Sequence, residues 1–199
     1  MANKGKYYES QFEEATIELL REAHWQYTFG DDIHRKYTDP LIEEDLRCFL
    51  AAQYKDKNLT TSEMDSIVAN LRNTGGQNDY YALRNAFLLY RDGYDFAYSD
   101  GRDNPFRLEY IDFEHPDHNI FHCVNQFVME QGRENRRPDI LLFINGIPVC
   151  IIELKNPTKQ NATIHDAHTQ ICTRYMRDIP ALLKYCALAV ISDGAKNAL

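Results

Sequence analysis

The first ninety residues of the chain have apolar positions at helical spacing. Phe12, Ala15 and Leu19 recur every three or four residues, and Thr60 with Glu63 has the spacing of a helix-capping box. This pattern predicts a largely helical N-terminal part. The predicted helices cover residues 8–23, 40–53, 61–73 and 80–90, and residues 24–39 are expected to form a loop.

After residue 93 the apolar positions alternate or continue without interruption, which is typical of β-strands. The predicted strands cover residues 94–98, 106–110, 121–129, 140–144, 147–154 and 186–192, with a helix over 163–177 and a helical turn after Pro180. Asn145-Gly146 is a strong hairpin signal, and the long apolar runs beside it indicate strands covered on both faces. We therefore predict a mixed α/β fold in one compact domain, with a helical part over 1–93 and a mixed-sheet core over 94–199.

Composition favours a soluble intracellular protein. The chain has 199 residues, of which 44% are hydrophobic, enough for a substantial core. Its polar start, MANKGKYYES, does not resemble a signal peptide, and its five cysteines contain no CxxC pair, so we expect reduced thiols and a cytoplasmic location. No helix is predicted after the last strand, which favours a piece of a longer subunit.

The charge is unevenly distributed along the chain. The net charge of −8, taken alone, argues against DNA binding. Residues 133–199, however, contain nine Lys and Arg against six Asp and Glu, whereas residues 1–132 contain 13 against 24. The basic segment can therefore meet a polyanion, although ordinary fluctuation in composition explains the same difference.

Two acids and a lysine stand at the ends of the two longest apolar strands. Asp139 precedes the first strand, and Glu153 and Lys155 end the second. Two nearby carboxylates repel each other, and a divalent cation relieves that repulsion. These residue types predict a hydrolytic site in which the acids hold Mg²⁺. Taken singly, each residue is better explained structurally, Asp139 as a turn cap and Glu153 and Lys155 as surface charges on an edge strand.

Hairpin geometry sets a condition on this site. With a strict two-residue turn at Asn145-Gly146, Asp139 would face Ile152 and Glu153 would face Pro138, so the acids would project from opposite faces. Shared ligation therefore requires an odd-length loop, a one-residue bulge or a bent strand end. We predict one of these, around residues 145–148.

Several segments resemble the N-terminal nuclease domain of type I restriction enzyme R subunits, which carries the PD-(D/E)xK signature. They are LEYIDF (108–113), NIF (119–121), VNQF (124–127), RRPD (136–139), FINGIP (143–148), IELKNP (152–157), Ile179-Pro180 and Ser192-Asp193-Gly194. The resemblance covers essentially the whole chain and is strongest after residue 106.

The resemblance implies roles for the candidate residues. Asp139 and Glu153 would ligate Mg²⁺ with the Leu154 carbonyl as a third ligand, and Lys155 would orient or activate the attacking water. The implied reaction is cleavage of double-stranded DNA in a complex with specificity and methyltransferase subunits. ATP is implied only for motor domains outside this chain, which has no GxxxxGK[ST] loop. A catalytically silent docking module and a related restriction or repair nuclease remain as alternatives.

The family also carries a Gln-x3-Tyr motif on the helix after the second acid. Here Gln170 and Tyr175 are separated by one residue more, which in a regular helix rotates them apart by roughly 140°. A π-bulge could restore the register; otherwise only one of the two faces the site. Both are kept as accessory or DNA-contacting candidates.

The remaining candidates are single charges with plain alternatives. Glu13 on the first helix can point into the site or belong to a solvated acidic face. Arg136, Arg137, Lys159 and Arg174 are candidate DNA-phosphate contacts, with ordinary surface charge as the alternative. The seven histidines form no convincing ligand pattern in the sequence.

Overall fold

The computed structural model of the chain describes residues 3–155, 164–193 and 197–198. The α-helices are α1 Asn3–Glu22, α2 Glu43–Gln53, α3 Thr61–Asn73, α4 Asp79–Asp92, α5 Ile164–Thr169, α6 Met176–Asp178 and α7 Pro180–Leu183, with a π-helical segment, Gln170–Tyr175, joining α5 to α6. The strands are β1 Gln26–Phe29, β2 Tyr94–Phe96, β3 Phe106–Leu108, β4 Phe121–Asn125, β5 Met129–Gln131, β6 Glu134–Arg136, β7 Ile140–Ile144, β8 Ile147–Leu154, β9 Leu188–Ser192 and β10 Asn197–Ala198.

A six-stranded mixed sheet, in the order β1-β4-β7-β8-β9-β10, forms the centre of the fold. β1 pairs parallel with β4 and β8 pairs parallel with β9, whereas β4-β7 and β7-β8 are antiparallel. α1 packs on one face through Ile17, in a cluster with Ile140 and Ile152. The helical segment after residue 163 packs on the other face through Ile171 and Ile179. The predicted mixed α/β fold with a helical N-terminal part is confirmed.

A separate hydrophobic core lies beside the turn of the β7-β8 hairpin. There α2, α3 and α4 pack around the β2-β3 ribbon. Two fully buried tyrosines fix it, because Tyr110 Oη donates to Ile67 O (2.8 Å) and Tyr185 Oη donates to Leu71 O (3.0 Å). The predicted capping box at Thr60 and Glu63 is present at the start of α3. Among the described residues, no helix has the length and apolar character needed to cross a membrane.

Four secondary-structure predictions are wrong. The first helix begins at Asn3 instead of residue 8. Residues 24–39 contain strand β1, which forms through parallel pairing with β4, a long-range contact that no local pattern reveals. α2 begins at Glu43 instead of Pro40, because the backbone angles of Ile42 (φ −91°, ψ 88°) are not helical and its N–H bonds Gly146 O (2.9 Å). The strand predicted over 121–129 is interrupted at Gln126, whose φ of 54° ends β4; β5 then pairs with the unpredicted β6.

The tight contact between Gly146 and α2 predicts a large effect of a methyl group. A Cβ at Gly146 would lie 2.1 Å from Ile42 O, and its φ is +75°, whereas Gly101 has a similar φ of +65° and nothing within 4 Å. In both alanine variants the left-handed backbone conformation lowers the stability by roughly 1–2 kcal/mol. We expect Gly146→Ala to be less stable than Gly101→Ala by at least about 2 kcal/mol in urea unfolding. Equal losses would mean that α2 does not pack on the turn as described.

Candidate active site

A one-residue bulge in the β7-β8 hairpin sets the position of the two acids. Next to the turn, Ile144 pairs with Ile147 and Phe143 with Pro148, but Leu142 pairs with Cys150 and Ile140 with Ile152. Val149 is the extra residue. The predicted departure from strict register is therefore confirmed, one position beyond residues 145–148.

Continued one residue beyond the Ile140–Ile152 pair, the shifted register places Asp139 opposite Glu153 instead of Ile152. Directly opposed residues share a face of the sheet, so the two carboxylates project to the same side. That side is the one covered by the helical segment after residue 163, because Leu141 and Ile151, two residues from each acid, belong to the cluster on that face. The condition for a shared metal ion is met.

Glu153 is the most deeply buried acid of the site, with a side chain that is only 1% exposed. Tyr175 Oη donates to its Oε1 (2.7 Å), and Gln170 Nε2 donates to its Oε2 (2.7 Å). Burial and the neighbouring charge of Asp139 raise the pKa of Glu153 to about 8, against the opposing effects of Lys155 and Tyr175. Burial and the charge of Asp139 therefore outweigh the two donors, Lys155 and Tyr175, that favour the ionised form.

Asp139 and Leu154 present further oxygen atoms beside Glu153. Asp139 is half-buried, and its Oδ2 accepts a hydrogen bond from Leu154 N (2.7 Å). Because the N–H and C=O of one strand residue point to the same side, the Leu154 carbonyl is directed towards the Asp139 strand. Two carboxylates and one carbonyl are a set of hard oxygen donors suited to Mg²⁺.

Lys155 brings a positive charge to this group. Its backbone N–H bonds Ser192 O in β9 (2.8 Å), which fixes the strand end. Its Nζ lies 3.4 Å from Glu153 Oε2 and donates to Gln170 Oε1 (3.0 Å). Gln170 thus connects the lysine to the buried acid.

The π-helical segment absorbs the extra residue between Gln170 and Tyr175. A π-turn joins residues five apart, so both side chains lie on the face that covers Glu153. Gln170 Nε2 also lies 2.7 Å from Tyr175 Oη. The π-bulge considered from the sequence is confirmed, and both residues contact the acid.

Glu13 lies in a neighbouring polar cluster on the α1 side. Its carboxylate accepts hydrogen bonds from Asn125 Nδ2 (2.7 Å) and from Gln126 Nε2 (2.9 and 3.0 Å). Gln126 N in turn donates to Asp139 O (2.9 Å). Glu13 is therefore connected to Asp139 through backbone, and its role as a site residue stays a prediction.

The four basic candidates have different surroundings. Arg136 Nε donates to Asp178 Oδ2 (2.7 Å), and that acid is 1% exposed, so Arg136 ties β6 to α6. Arg137 and Arg174 are exposed, the latter within the π-helical segment. Lys159 lies outside the described residues.

Sequence reasoning missed two groups. Asn125 and Gln126 donate hydrogen bonds to the Glu13 carboxylate. The available signal in the sequence was a pair of polar residues at the end of an apolar strand. Asp112, His115 and His118 also meet in one loop, and their equal spacing of three residues was the available signal.

Sequence comparison with known proteins matches this chain to one family. Residues 6–198 match the family described as the type I restriction enzyme R protein N terminus. The chain is 29% identical over 196 residues to the type I restriction enzyme HindI endonuclease subunit of Haemophilus influenzae, covering 94% of this chain and 18% of that protein. It is 31% identical over 193 residues to the putative type I restriction enzyme MjaIXP endonuclease subunit of Methanocaldococcus jannaschii, covering 93% and 18%. The chain thus spans about a fifth of the length of these curated relatives.

The buried Glu153 predicts a pH-dependent stability. Its pKa is about 8 in the folded chain, above its ordinary value of 4.5. Between these two pH values the folded chain binds more protons than the unfolded chain, so the free energy of unfolding falls as pH rises, by at most about 1.4 kcal/mol per pH unit. The free energy of unfolding of Glu153→Gln, measured in urea at several pH values, should lack this part of the pH dependence. An identical pH slope in the variant and the wild-type chain would contradict the buried carboxylate.

The π-helical segment predicts tolerance to a deletion. Removing the exposed Thr173 restores the four-residue separation of a regular helix, so Gln170 and Tyr175 stay on one face. We expect this variant to lose less than about 1 kcal/mol, since a π-turn is the rarer conformation. Inserting an alanine after Thr173 is the opposing variant and should cost more, because it rotates one side chain away from Glu153. Urea unfolding measures both, and a deletion more harmful than the insertion would contradict this assignment.

Proposed function

The chain belongs to the family of type I restriction enzyme R protein N termini, and on that premise we propose that it is the Mg²⁺-dependent endonuclease domain of such an enzyme. The observation that carries the proposal is the bulged β7-β8 hairpin, which brings the Asp139 carboxylate to the strand end that holds Glu153 and Lys155. This is the arrangement that a PD-(D/E)xK nuclease requires. The proposed reaction is hydrolysis of phosphodiester bonds in double-stranded DNA.

The proposal also concerns the complete enzyme to which this chain would belong. Relatives carry the name endonuclease subunit, and this chain corresponds to about a fifth of their length. We propose that specificity and methyltransferase subunits are its partners and that ATP-driven translocation belongs to other parts of the subunit. A cytoplasmic location fits the five free cysteines, since thiols stay reduced there.

The residues present fit a divalent cation. Glu153 is buried next to Asp139, and its raised pKa reflects a negative charge that the surrounding donors do not fully compensate. Asp139, Glu153 and the Leu154 carbonyl would hold Mg²⁺. When bound, Mg²⁺ would polarise the scissile phosphate and lower the pKa of a coordinated water.

The chain's own residues supply the rest of the mechanism. Lys155 Nζ would hold the attacking water and offset negative charge on the phosphate. Gln170 positions Lys155 by accepting its hydrogen bond, and Tyr175 positions Glu153 by donating to Oε1. Both are positioning residues for the acid and the lysine.

DNA would be held mainly through its backbone. Arg137, Arg174 and Lys159 are the proposed phosphate contacts, whereas Arg136 is engaged by Asp178. Backbone contacts leave recognition of the target sequence to the specificity subunit.

The test uses a reconstituted type I restriction complex whose R subunit carries this chain. Lys155→Ala should lower the DNA cleavage rate by at least about 100-fold while ATP hydrolysis is unchanged, because the lysine acts on the phosphate and not on the motor. Lys55→Ala is a matched control on the exposed surface and should cut normally.

Metal binding by the chain distinguishes the enzyme from a silent docking module. Mn²⁺ should bind to the wild-type chain and bind at least about tenfold more weakly to Asp139→Ala. Normal cutting by Lys155→Ala, or a folded wild-type chain that binds no Mn²⁺, would overturn the proposal.

A further inference from the structure

The loop between β3 and β4 carries a second cluster of metal-ligating side chains. Asp112, His115 and His118 each offer one ligand atom, and these atoms lie within 4.8 Å of one another. The Nδ1 atoms of His115 and His118 lie 3.7 and 3.0 Å from the same oxygen, Asp112 Oδ2. We infer that these three side chains form a transition-metal site, for which Zn²⁺ is the appropriate test ion.

The carboxylate is fixed before any ion arrives. The side chain of Asp112 is 5% exposed, and its Oδ1 accepts the N–H groups of Glu114 (3.0 Å) and His115 (2.8 Å). Oδ1 therefore holds the loop, and Oδ2 is the oxygen directed to the two imidazoles. Gln53 Nε2 donates to Oδ2 (3.1 Å), the kind of outer contact that orients a ligating carboxylate.

Asn119 closes the loop around the cluster. Its Oδ1 accepts the N–H of Asp112 (2.9 Å), and its Nδ2 donates to the carbonyls of Asp112 (2.7 Å) and Pro116 (3.0 Å). These bonds hold the backbone that carries His115 and His118, so binding an ion needs little further ordering. Both histidines are exposed, which gives an ion access and leaves room for water as a fourth ligand.

The donor set favours zinc-like ions over Mg²⁺. Two imidazole nitrogens and one carboxylate oxygen suit Zn²⁺ and its neighbours, whereas Mg²⁺ prefers oxygen ligands in octahedral geometry. Zinc–ligand distances near 2 Å in a tetrahedron place ligand atoms roughly 3.3 Å apart, and the observed 3.0 and 3.7 Å bracket that separation. The two rings lie side by side, with centroids 5.0 Å apart.

The cluster is distant from the proposed nuclease site. Asn119 Oδ1 also accepts a hydrogen bond from Asn145 Nδ2 (2.7 Å), so the loop lies at the turn of the β7-β8 hairpin. Asp139 and Glu153 lie at the opposite end of the hairpin, about 20 Å from the turn at a rise of roughly 3.3 Å per residue. The inference therefore does not depend on the proposed function.

The test is a calorimetric Zn²⁺ titration of the chain in excess Mg²⁺, which reduces binding at the acidic site. The variant is His115→Ala/His118→Ala. The matched control is His165→Ala/His168→Ala, which removes another exposed and stacked histidine pair, with centroids 6.5 Å apart. Circular dichroism checks that each variant is folded, as expected for exposed side chains.

We expect the wild-type chain and the control to bind Zn²⁺ equally and to gain thermal stability from it. The His115→Ala/His118→Ala variant should bind at least about tenfold more weakly and gain no stability. Unchanged Zn²⁺ binding in that variant, or no Zn²⁺ binding by the wild-type chain, would overturn the inference. Neither result bears on Mn²⁺ binding at Asp139, so the two proposals fail separately.

Discussion

The acidic end of the β7-β8 hairpin depends on one extra residue, Val149. Side chains alternate between the faces of a strand, so a shift of one residue moves every side chain beyond it to the other face. Without the bulge, Glu153 would lie on the α1 face and Asp139 on the opposite face. With it, the two carboxylates oppose each other directly, and the apolar residues of β8 still cover the sheet on both sides.

Burial of Glu153 then determines the character of the site. Tyr175, Gln170 and Lys155 all donate towards its carboxylate, and each favours the charged form. Desolvation and the charge of Asp139 nevertheless prevail, and the pKa rises to about 8. A proton held on Glu153 near neutral pH must leave before the carboxylate can ligate a metal, so the proposed Mg²⁺ would compete with that proton. The hydrogen bonds to Glu153 also explain why the extra residue before Tyr175 is accommodated as a π-turn. In a regular helix either Gln170 or Tyr175 would point away from the acid, and Glu153 would lose one donor.

The sequence predicted the parts of the fold that rest on local patterns. The apolar runs around Asn145-Gly146 defined β7 and β8 to the residue, and the capping box at Thr60 defined the start of α3. β1 was missed because it exists only through pairing with β4, far along the chain. At the site, the turn arithmetic showed that a bulge was needed but could not place it at Val149, since the position depends on packing of both faces. Burial of Glu153 and the capture of Arg136 by Asp178 are likewise tertiary effects.

The central claim is that Asp139 and Glu153 share one divalent cation because Val149 brings them to the same face. A crystal structure of the chain soaked in Mn²⁺, with anomalous scattering used to place the metal, tests this most directly. The account predicts a manganese peak between the two carboxylates, lost in crystals of Asp139→Ala. Clear density for both acids with no anomalous peak between them at saturating Mn²⁺, or a peak bound by only one of them, would contradict it.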